Sequence, residues 1–457
     1  MSQSYHVITY GCQMNVHDSE VLAGLLENMG YRRAGEPEQA DLILLNTCCV
    51  RETAEERILG RLGELQRLKR ENPDLILVVA GCLGQEAGSV ERILRRAAQV
   101  DIVMGTHNLH RLPDLVREVL TGRNGNGAGT LVEIWDEPAG EQWRQGLPIM
   151  RERGVRAWVT IMYGCDNYCA YCIVPYVRGR ERSREPADIV AEVDDLAKRG
   201  YREVVLLGQN VNSYGLDLEP GPGPGRRFAS LLRELDKTQG LARIRYTTSH
   251  PRNFGDDIIE AVADCGKVCE NFHLPVQSGS SRVLGLMNRH YTREDYLALV
   301  EGIRRRVPGA AFSTDVIVGF PGETDKDFED TLELVREVRF DSAFTFAYSP
   351  RVGTPAARAP DQVAPEVKQD RLRRLIETQN EISLEINRAQ IGREVEVLVE
   401  GEAEKAPGMA AGRDRVNKLV VLSPPEGTTV TELVGREVVV RVEKATTWSL
   451  EGRADSP

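Results

Sequence analysis

Six short apolar runs, AWVTIMY, EVVLLG, RIRYTT, NFHLPV, FSTDVIV and AFTFAY, lie between residues 157 and 348, and amphipathic segments separate them. The intervening stretches, such as ADIVAEVDDLAKRG and REDYLALVEGIRRR, place apolar residues at helical spacing. Strands joined by helices of that length return to the same edge and pair in parallel. Six βα units are too few to close an eight-stranded barrel, and the expectation is an open, partial (βα)6 barrel. The same alternation fills residues 5–120, where HVITY, DLILLN, LILVVA and DIVMG predict a second parallel sheet. TGRNGNGAG (121–129) reads as a linker, residues near 130–150 as a bridge, and GPGPG (221–225) as a surface loop. A long helix is predicted over 364–389, followed by EVEVLVEG, KLVVLS and REVVVRVEK, which are short, β-branched and closely spaced. Those runs predict a small β-barrel. The whole is an α/β chain with units at 3–122, 151–381 and 383–454.

Composition excludes several classes. The chain has 457 residues, 41% hydrophobic and 28% charged, as in an ordinary globular protein. Its longest apolar runs fall far short of the roughly 20 residues of a membrane helix. MSQSYHVITYG has neither the basic region nor the apolar core of a secretory signal, so no membrane partner and a cytoplasmic location are expected. With 58 Lys+Arg against 69 Asp+Glu, the net charge of −11 leaves any RNA contact to local basic patches. Nine cysteines without a signal peptide favour metal or catalytic use over disulfides.

The cysteines fall into two sets. Cys165, Cys169 and Cys172 lie in GCDNYCAYC, directly after a predicted strand, where parallel folds carry their active sites. A 4Fe–4S cube normally takes four thiolates, so three from one loop leave an iron open. A structural zinc site would want two pairs of ligands, and no second pair is near. Cys12, Cys48 and Cys82 each follow a strand of the first sheet, in VITYGC, LILLNTC and LILVVAGC. Strand ends of a parallel sheet share one edge, so the three can meet there. Taken singly, each would read as a small buried hydrophobe. Cys49, next to Cys48, would be expected to point elsewhere, and Cys265 and Cys269 read as core residues.

C-x-x-x-C-x-x-C after the first strand of a partial barrel resembles the radical S-adenosylmethionine superfamily. The resemblance implies that the open iron chelates the cofactor, whose reductive cleavage yields a 5′-deoxyadenosyl radical. It further implies that Tyr171 packs on the adenine, that Gly208, Gln209 and Asn210 hold the methionine end, and that DVIVGFPGET, with Gly319 and Glu323, lies near the ribose. Two three-cysteine sets in one chain are similar to the methylthiotransferases. YGCQMN, NTCCVRETAEE, LLGQNVNSYG, TTSHPRN, HLPVQSGS, MNRHYTRE, IVGFPGET and YSPRVGTPAA run in that family's order across nearly the whole chain. Gln13-Met14-Asn15 and Met287-Asn288-Arg289 resemble the branch that methylthiolates isopentenylated adenosine beside the tRNA anticodon.

That branch implies one S-adenosylmethionine methylating a sulfur on the auxiliary cluster and a second giving the radical that activates carbon 2 of the base. Its partners would be an anticodon stem-loop carrying isopentenyladenosine and a reductant such as flavodoxin or ferredoxin, with the enzyme a monomer. The alternatives are a ribosomal-protein aspartate or threonylcarbamoyl-adenosine as substrate, or a non-catalytic iron–sulfur protein. Arg178, Arg180, Arg182 and Arg184, at alternate positions, would project to one side of an extended segment and contact phosphates. A plain solvated run is the competing reading. The C-terminal unit resembles the TRAM domain, a small β-barrel RNA binder, and its GRDRVNKLVVL (412–422) is locally basic; a structural barrel without an RNA role is the competing reading.

Overall fold

A computed structural model describes residues 3–48, 52–86, 88–122, 129–137, 146–218 and 227–454, apart from the side chains of 52–56. Cys49, the GPGPG run and most of the glycine-rich linker lie outside the described residues. The first sheet holds β1 (Ser4–Thr9), β2 (Arg32–Arg33), β3 (Leu42–Thr47), β4 (Ile76–Gly81), β5 (Ile102–Met104) and β6 (Leu131–Glu133). All pair in parallel, in the order β2-β1-β3-β4-β5-β6. Alternate residues of β3 and β4 divide between two cores. Leu42, Leu44, Ile76 and Val78 pack toward Leu22, Leu26 and Val116, while Ile43, Leu45, Leu77 and Val79 pack toward Ile58, Leu62 and Ile93. Helices on both faces explain why every position of these strands is buried.

The central unit contains β7 (Arg156–Thr160), β8 (Met162–Tyr163), β9 (Arg182–Ser183), β10 (Glu203–Leu207), β11 (Arg243–Tyr246), β12 (Asn271–His273), β13 (Ala311–Val318) and β14 (Ser342–Ala347). Parallel triplets β11-β10-β7 and β12-β13-β14 are linked by the lone parallel bridge between Ile244 and Val268. Six strands thus make an open arc. Val204, Leu206, Ile244, Tyr246, Phe272, Phe312 and Val316 face the surrounding helices. The alternate residues, among them Trp158, Val205, Arg245, His273, Asp315 and Phe344, line the concave side. Met14, from the helix Gln13–Asn28, packs there with Trp158, Val205 and Leu207.

The helix Pro365–Arg388 leads to a closed five-stranded barrel: β15 (Glu394–Glu402), β16 (Ala410–Asp414), β17 (Leu419–Ser423), β18 (Glu437–Ala445) and β19 (Ser449–Ala454). This barrel is docked beneath the N-terminal ends of the central strands. Arg243, fully buried, donates to the Glu437 carboxylate at 2.9 Å and to the Arg413 carbonyl at 2.6 Å. Arg415 pairs with Glu270 at 2.7 Å, and Lys418 with Asp341 at 2.6 Å. The local charge of GRDRVNKLVVL is thus largely spent on this contact. Its Arg415 and Lys418 are turned into the central unit, and Arg413 donates to Asn417 of its own loop.

Candidate active site

Both cysteine sets sit at C-terminal strand edges. Cys12 follows β1, Cys48 follows β3 and Cys82 follows β4; Cys12 is exposed and the other two are buried. Gly11, at φ +135°, lets the first turn close, because a Cβ there would stand 2.5 Å from the Cys48 Cβ. Buried amides fix the edge: Asn46 Nδ2 donates to the Asn15 carbonyl at 2.7 Å, and Asn15 Nδ2 to the Thr47 carbonyl at 3.0 Å. The Cys12 thiol is drawn down to about 6 by its hydrogen bond with Cys48 and, against the opposing effect of burial, by the charge of Arg178. Thiolate is the metal-binding form. Alkylation of Cys12 in the metal-free protein, followed by peptide mass spectrometry, should therefore show a midpoint near pH 6. Cys48→Ala should move that midpoint upward further than Arg178→Met, and no movement in either variant would refute the coupling.

The second set is held by a different frame. Gly164 precedes it at φ +74°, where a Cβ would fall 1.9 Å from the Arg180 carbonyl oxygen. Asn167 Nδ2 donates to Cys165 Sγ at 3.3 Å, and Arg289 Nη1 to Cys169 Sγ at 3.4 Å. Arg289 is itself fixed by the Pro275 carbonyl at 2.7 Å and the Tyr291 hydroxyl at 3.0 Å. Asn288, with a left-handed backbone, donates to the Tyr168 carbonyl at 3.0 Å. Burial pushes Cys165 up to about 11 and Cys172 up to about 12. These thiols stay protonated until a cation offsets the missing solvent.

A short helix joins the two sets. Val174–Arg178 follows Cys172 directly, and its Val177, together with Ile173, packs on Cys82. Thr106 Oγ1, after β5, donates to the Val177 carbonyl at 2.5 Å. Arg178 ends the helix inside the protein, 2.9 Å from Asp18 and beside the Cys82 and Cys12 sulfurs.

The four arginines therefore do not share an extended face. The helix and the left-handed turn at Gly179 break the alternation. Arg178 is buried, Arg182 donates to the Arg178 carbonyl at 3.0 Å, and Arg184 pairs with Glu192 at 2.7 Å. Arg180 alone of the four is mostly exposed, its side chain 81% accessible and 3.3 Å from Asp166. Tyr168 and Tyr176, both about half exposed, lie beside it with ring centroids 6.1 Å apart.

Around the concave mouth, several buried polar atoms have no hydrogen-bond partner among the described residues. They are Gln209 Nε2, Asn210 Oδ1, Ser249 Oγ, His250 Nε2, Gln277 Oε1 and the Tyr348 hydroxyl. Buried polar atoms are ordinarily paired, so a ring of orphans marks the seat of a polar ligand. Gly208 leaves room there, since a Cβ would stand 2.6 Å from Met162 Cγ. Tyr171 sits at the same mouth, 3.5 Å from Arg289 and against Phe320 and Met287. Glu323 is placed differently from the expectation. Its buried carboxylate accepts the Gly319 N–H at 2.9 Å and pairs with Arg371 at 2.8 Å, so it shapes that turn from inside. Sequence reasoning gave no role to Ser249, His250, Gln277, Tyr348 or Arg289.

The donor sets fit iron–sulfur clusters. Each offers three soft thiolates with one buried arginine alongside, Arg178 or Arg289, a charge suited to an anionic thiolate-bound cluster. Among the described residues no three His, Cys, Asp or Glu side chains are drawn together tightly enough for one ion. In a cube each thiolate takes a different iron, so the sulfurs need only share a rim.

Residues 159–335 match the radical SAM superfamily, residues 4–105 the uncharacterized protein family UPF0004, and residues 388–454 the TRAM domain. The chain is 54% identical over 450 residues to the tRNA-2-methylthio-N(6)-dimethylallyladenosine synthase of Pelotomaculum thermopropionicum, covering 98% of this chain and 97% of that one. It is 53% identical to the protein of the same name from Carboxydothermus hydrogenoformans, covering 98% and 99%. A solved radical S-adenosylmethionine methyltransferase from Kitasatospora setae, with cobalamin and a 4Fe–4S cluster bound, shares the fold at a TM-score of 0.57 and 17% identity, over 90% of this chain and 81% of that one. Such relatives imply 4Fe–4S clusters and S-adenosylmethionine as the cofactors. Three matched segments and more than half of all residues identical across nearly the whole chain to enzymes of one name lead to one assignment: the chain belongs to the tRNA-2-methylthio-N(6)-dimethylallyladenosine synthase family of the radical S-adenosylmethionine superfamily.

Proposed function

We propose that this enzyme installs a methylthio group on carbon 2 of N6-dimethylallyladenosine beside a tRNA anticodon. In this reading Cys165, Cys169 and Cys172 hold one 4Fe–4S cluster, and Cys12, Cys48 and Cys82 the other. The observation that carries it is the helix Val174–Arg178, which leaves one cysteine set and packs directly on the other. When bound, the clusters and S-adenosylmethionine supply the radical, the methyl group and the sulfur. Arg178 keeps Cys12 ionised, and Arg289 supports Cys169. Tyr171, Gly208, Gln209 and Asn210, with Ser249 and Gln277, hold the cofactor at the mouth, while Gly319 and Glu323 shape the turn behind it.

The tRNA is read at the rim. Arg180 contacts phosphate, and the exposed Tyr168 and Tyr176 offer ring faces to splayed loop bases. The electron comes from a flavodoxin or ferredoxin, and the enzyme works as a cytoplasmic monomer. Arg180→Ala should lower affinity for the stem-loop several-fold and reduce the slope of log affinity against log salt by about one. An unchanged slope would remove Arg180 from the interface. The function itself is tested by offering purified enzyme a dimethylallylated anticodon stem-loop, the unmodified stem-loop and a ribosomal-protein substrate. Only the first should gain methylthio mass, and modification of the protein alone would overturn the reading.

A further inference from the structure

Phe344 is unusually exposed for a residue within a barrel strand. Strands of a parallel barrel are ordinarily covered on both faces, yet this phenylalanine, midway along β14, is 55% exposed. The β13–β14 register pairs Asp315 with Phe344 and Ile317 with Phe346, so these four share the concave face, while Val316 and Val318 turn into the core. His273, at the end of β12, completes the patch. Its ring stands edge-on to Phe344 with centroids 6.0 Å apart. Its Nδ1 lies 3.0 Å from Ser313 Oγ and its Nε2 3.7 Å from Asp315 Oδ1.

The patch is continuous with the mouth. Gln277, whose Oε1 is one of the orphaned buried atoms, is tied to the same stretch of β13. Its N–H donates to the Asp315 carbonyl at 2.8 Å, and its carbonyl accepts from the Ile317 N–H at 2.9 Å. An open aromatic and aliphatic surface thus adjoins a polar pair and an unpaired amide oxygen. That chemistry suits a branched hydrocarbon group joined to a nitrogen heterocycle. We infer that Phe344, with Ile317 and Phe346, is the contact surface for the dimethylallyl group, and that His273 and Asp315 face the adenine to which it is attached. The inference rests on the function proposed above. It adds the residues that make the prior modification a requirement, because a bare adenosine would leave Phe344 in water and the base poorly positioned.

The test uses the full-length enzyme with reconstituted clusters and compares kcat/KM on dimethylallylated and unmodified stem-loops. Deleting an apolar contact of this size lowers discrimination by roughly 10- to 200-fold. Phe344→Ala should therefore cut kcat/KM on the dimethylallylated stem-loop about thirtyfold without raising turnover of the unmodified one. Phe344→Leu should retain most of the preference. Cleavage of S-adenosylmethionine without RNA should match the wild type in both variants, a control for folding and cluster loading. Undiminished preference in Phe344→Ala overturns the inference and leaves the function standing. Loss of RNA-independent cleavage in both variants makes Phe344 structural and also overturns it. A wild type that modifies neither stem-loop overturns the proposed function, and this inference with it.

Discussion

Cys48→Ala protein is expected to cleave S-adenosylmethionine at the wild-type rate and to form no methylthio product, whereas Cys169→Ala is expected to form neither cleavage product nor methylthio product. The separation follows from where the two thiols sit. Cys48 is buried at the edge of the first sheet, hydrogen-bonded to Cys12. Cys169 lies in the loop after β8, bonded to Arg289, and the backbone around it is held by Met287, Asn288 and Ala356 of the central unit. Each variant should lose about four irons after anaerobic reconstitution, the content of one cube. Cys82→Ala should behave less cleanly, because Cys82 packs on Ile173 and Val177, which immediately follow Cys172. Measuring iron, 5′-deoxyadenosine and methylthiolated nucleoside in the same preparations decides the matter. If Cys48→Ala lost cleavage, or Cys169→Ala kept it, the two assignments would have to be exchanged or abandoned.

The arc of six strands was legible because each strand and its helix announce themselves by a change of hydrophobic period, a local signal. β6 was not legible, since Leu131–Glu133 has three residues and pairs only because β5 offers it an edge. The six cysteines stood out by one topological rule, position just after a strand. The same rule would have found Ser249, Gln277 and Tyr348, which follow β11, β12 and β14 and carry the orphaned polar atoms. The arginines were misread for a different reason. Alternate spacing showed a possible face, but Arg178 is fixed by Asp18, 160 residues away in the chain, and a five-residue helix is too short to show a period. GRDRVNKLVVL is a parallel case. Its local charge was visible, while its partners Glu270 and Asp341 were not.

The docked C-terminal barrel carries the largest expected effect on stability. Glu203, the first residue of β10, has a fully buried carboxylate held between Arg156 and Arg245, the latter at 2.8 Å. Arg245 is 5% exposed and also donates to the Asp414 and Arg415 carbonyls at 2.6 and 2.7 Å, so one buried carboxylate ties the arc to the barrel beneath it. Burial works to raise the Glu203 carboxyl, but Arg245 and then Arg156 overcome it and hold the group below the ordinary carboxylate range. Removing one partner of a buried ion pair leaves the other uncompensated and costs about 3–5 kcal/mol. Glu203→Gln should therefore lower the thermal midpoint by about 10 °C, at the roughly 2–4 °C per kcal/mol of larger units. The pH dependence has a definite sign. A carboxyl depressed on folding stabilises the protein above its unfolded value, near 4.5, and that contribution is lost as pH falls toward the folded value. Wild-type stability should decline on acidification through this window more steeply than that of Glu203→Gln. Truncation after residue 389 would uncover Arg243 and Arg245 together, so it should destabilise the central arc as well. Thermal melts of wild type, Glu203→Gln and the truncation, each at neutral pH and near pH 4, provide the check. A Glu203→Gln midpoint equal to wild type at both pH values would mean that the buried pair is energetically neutral and that other contacts hold the barrel in place.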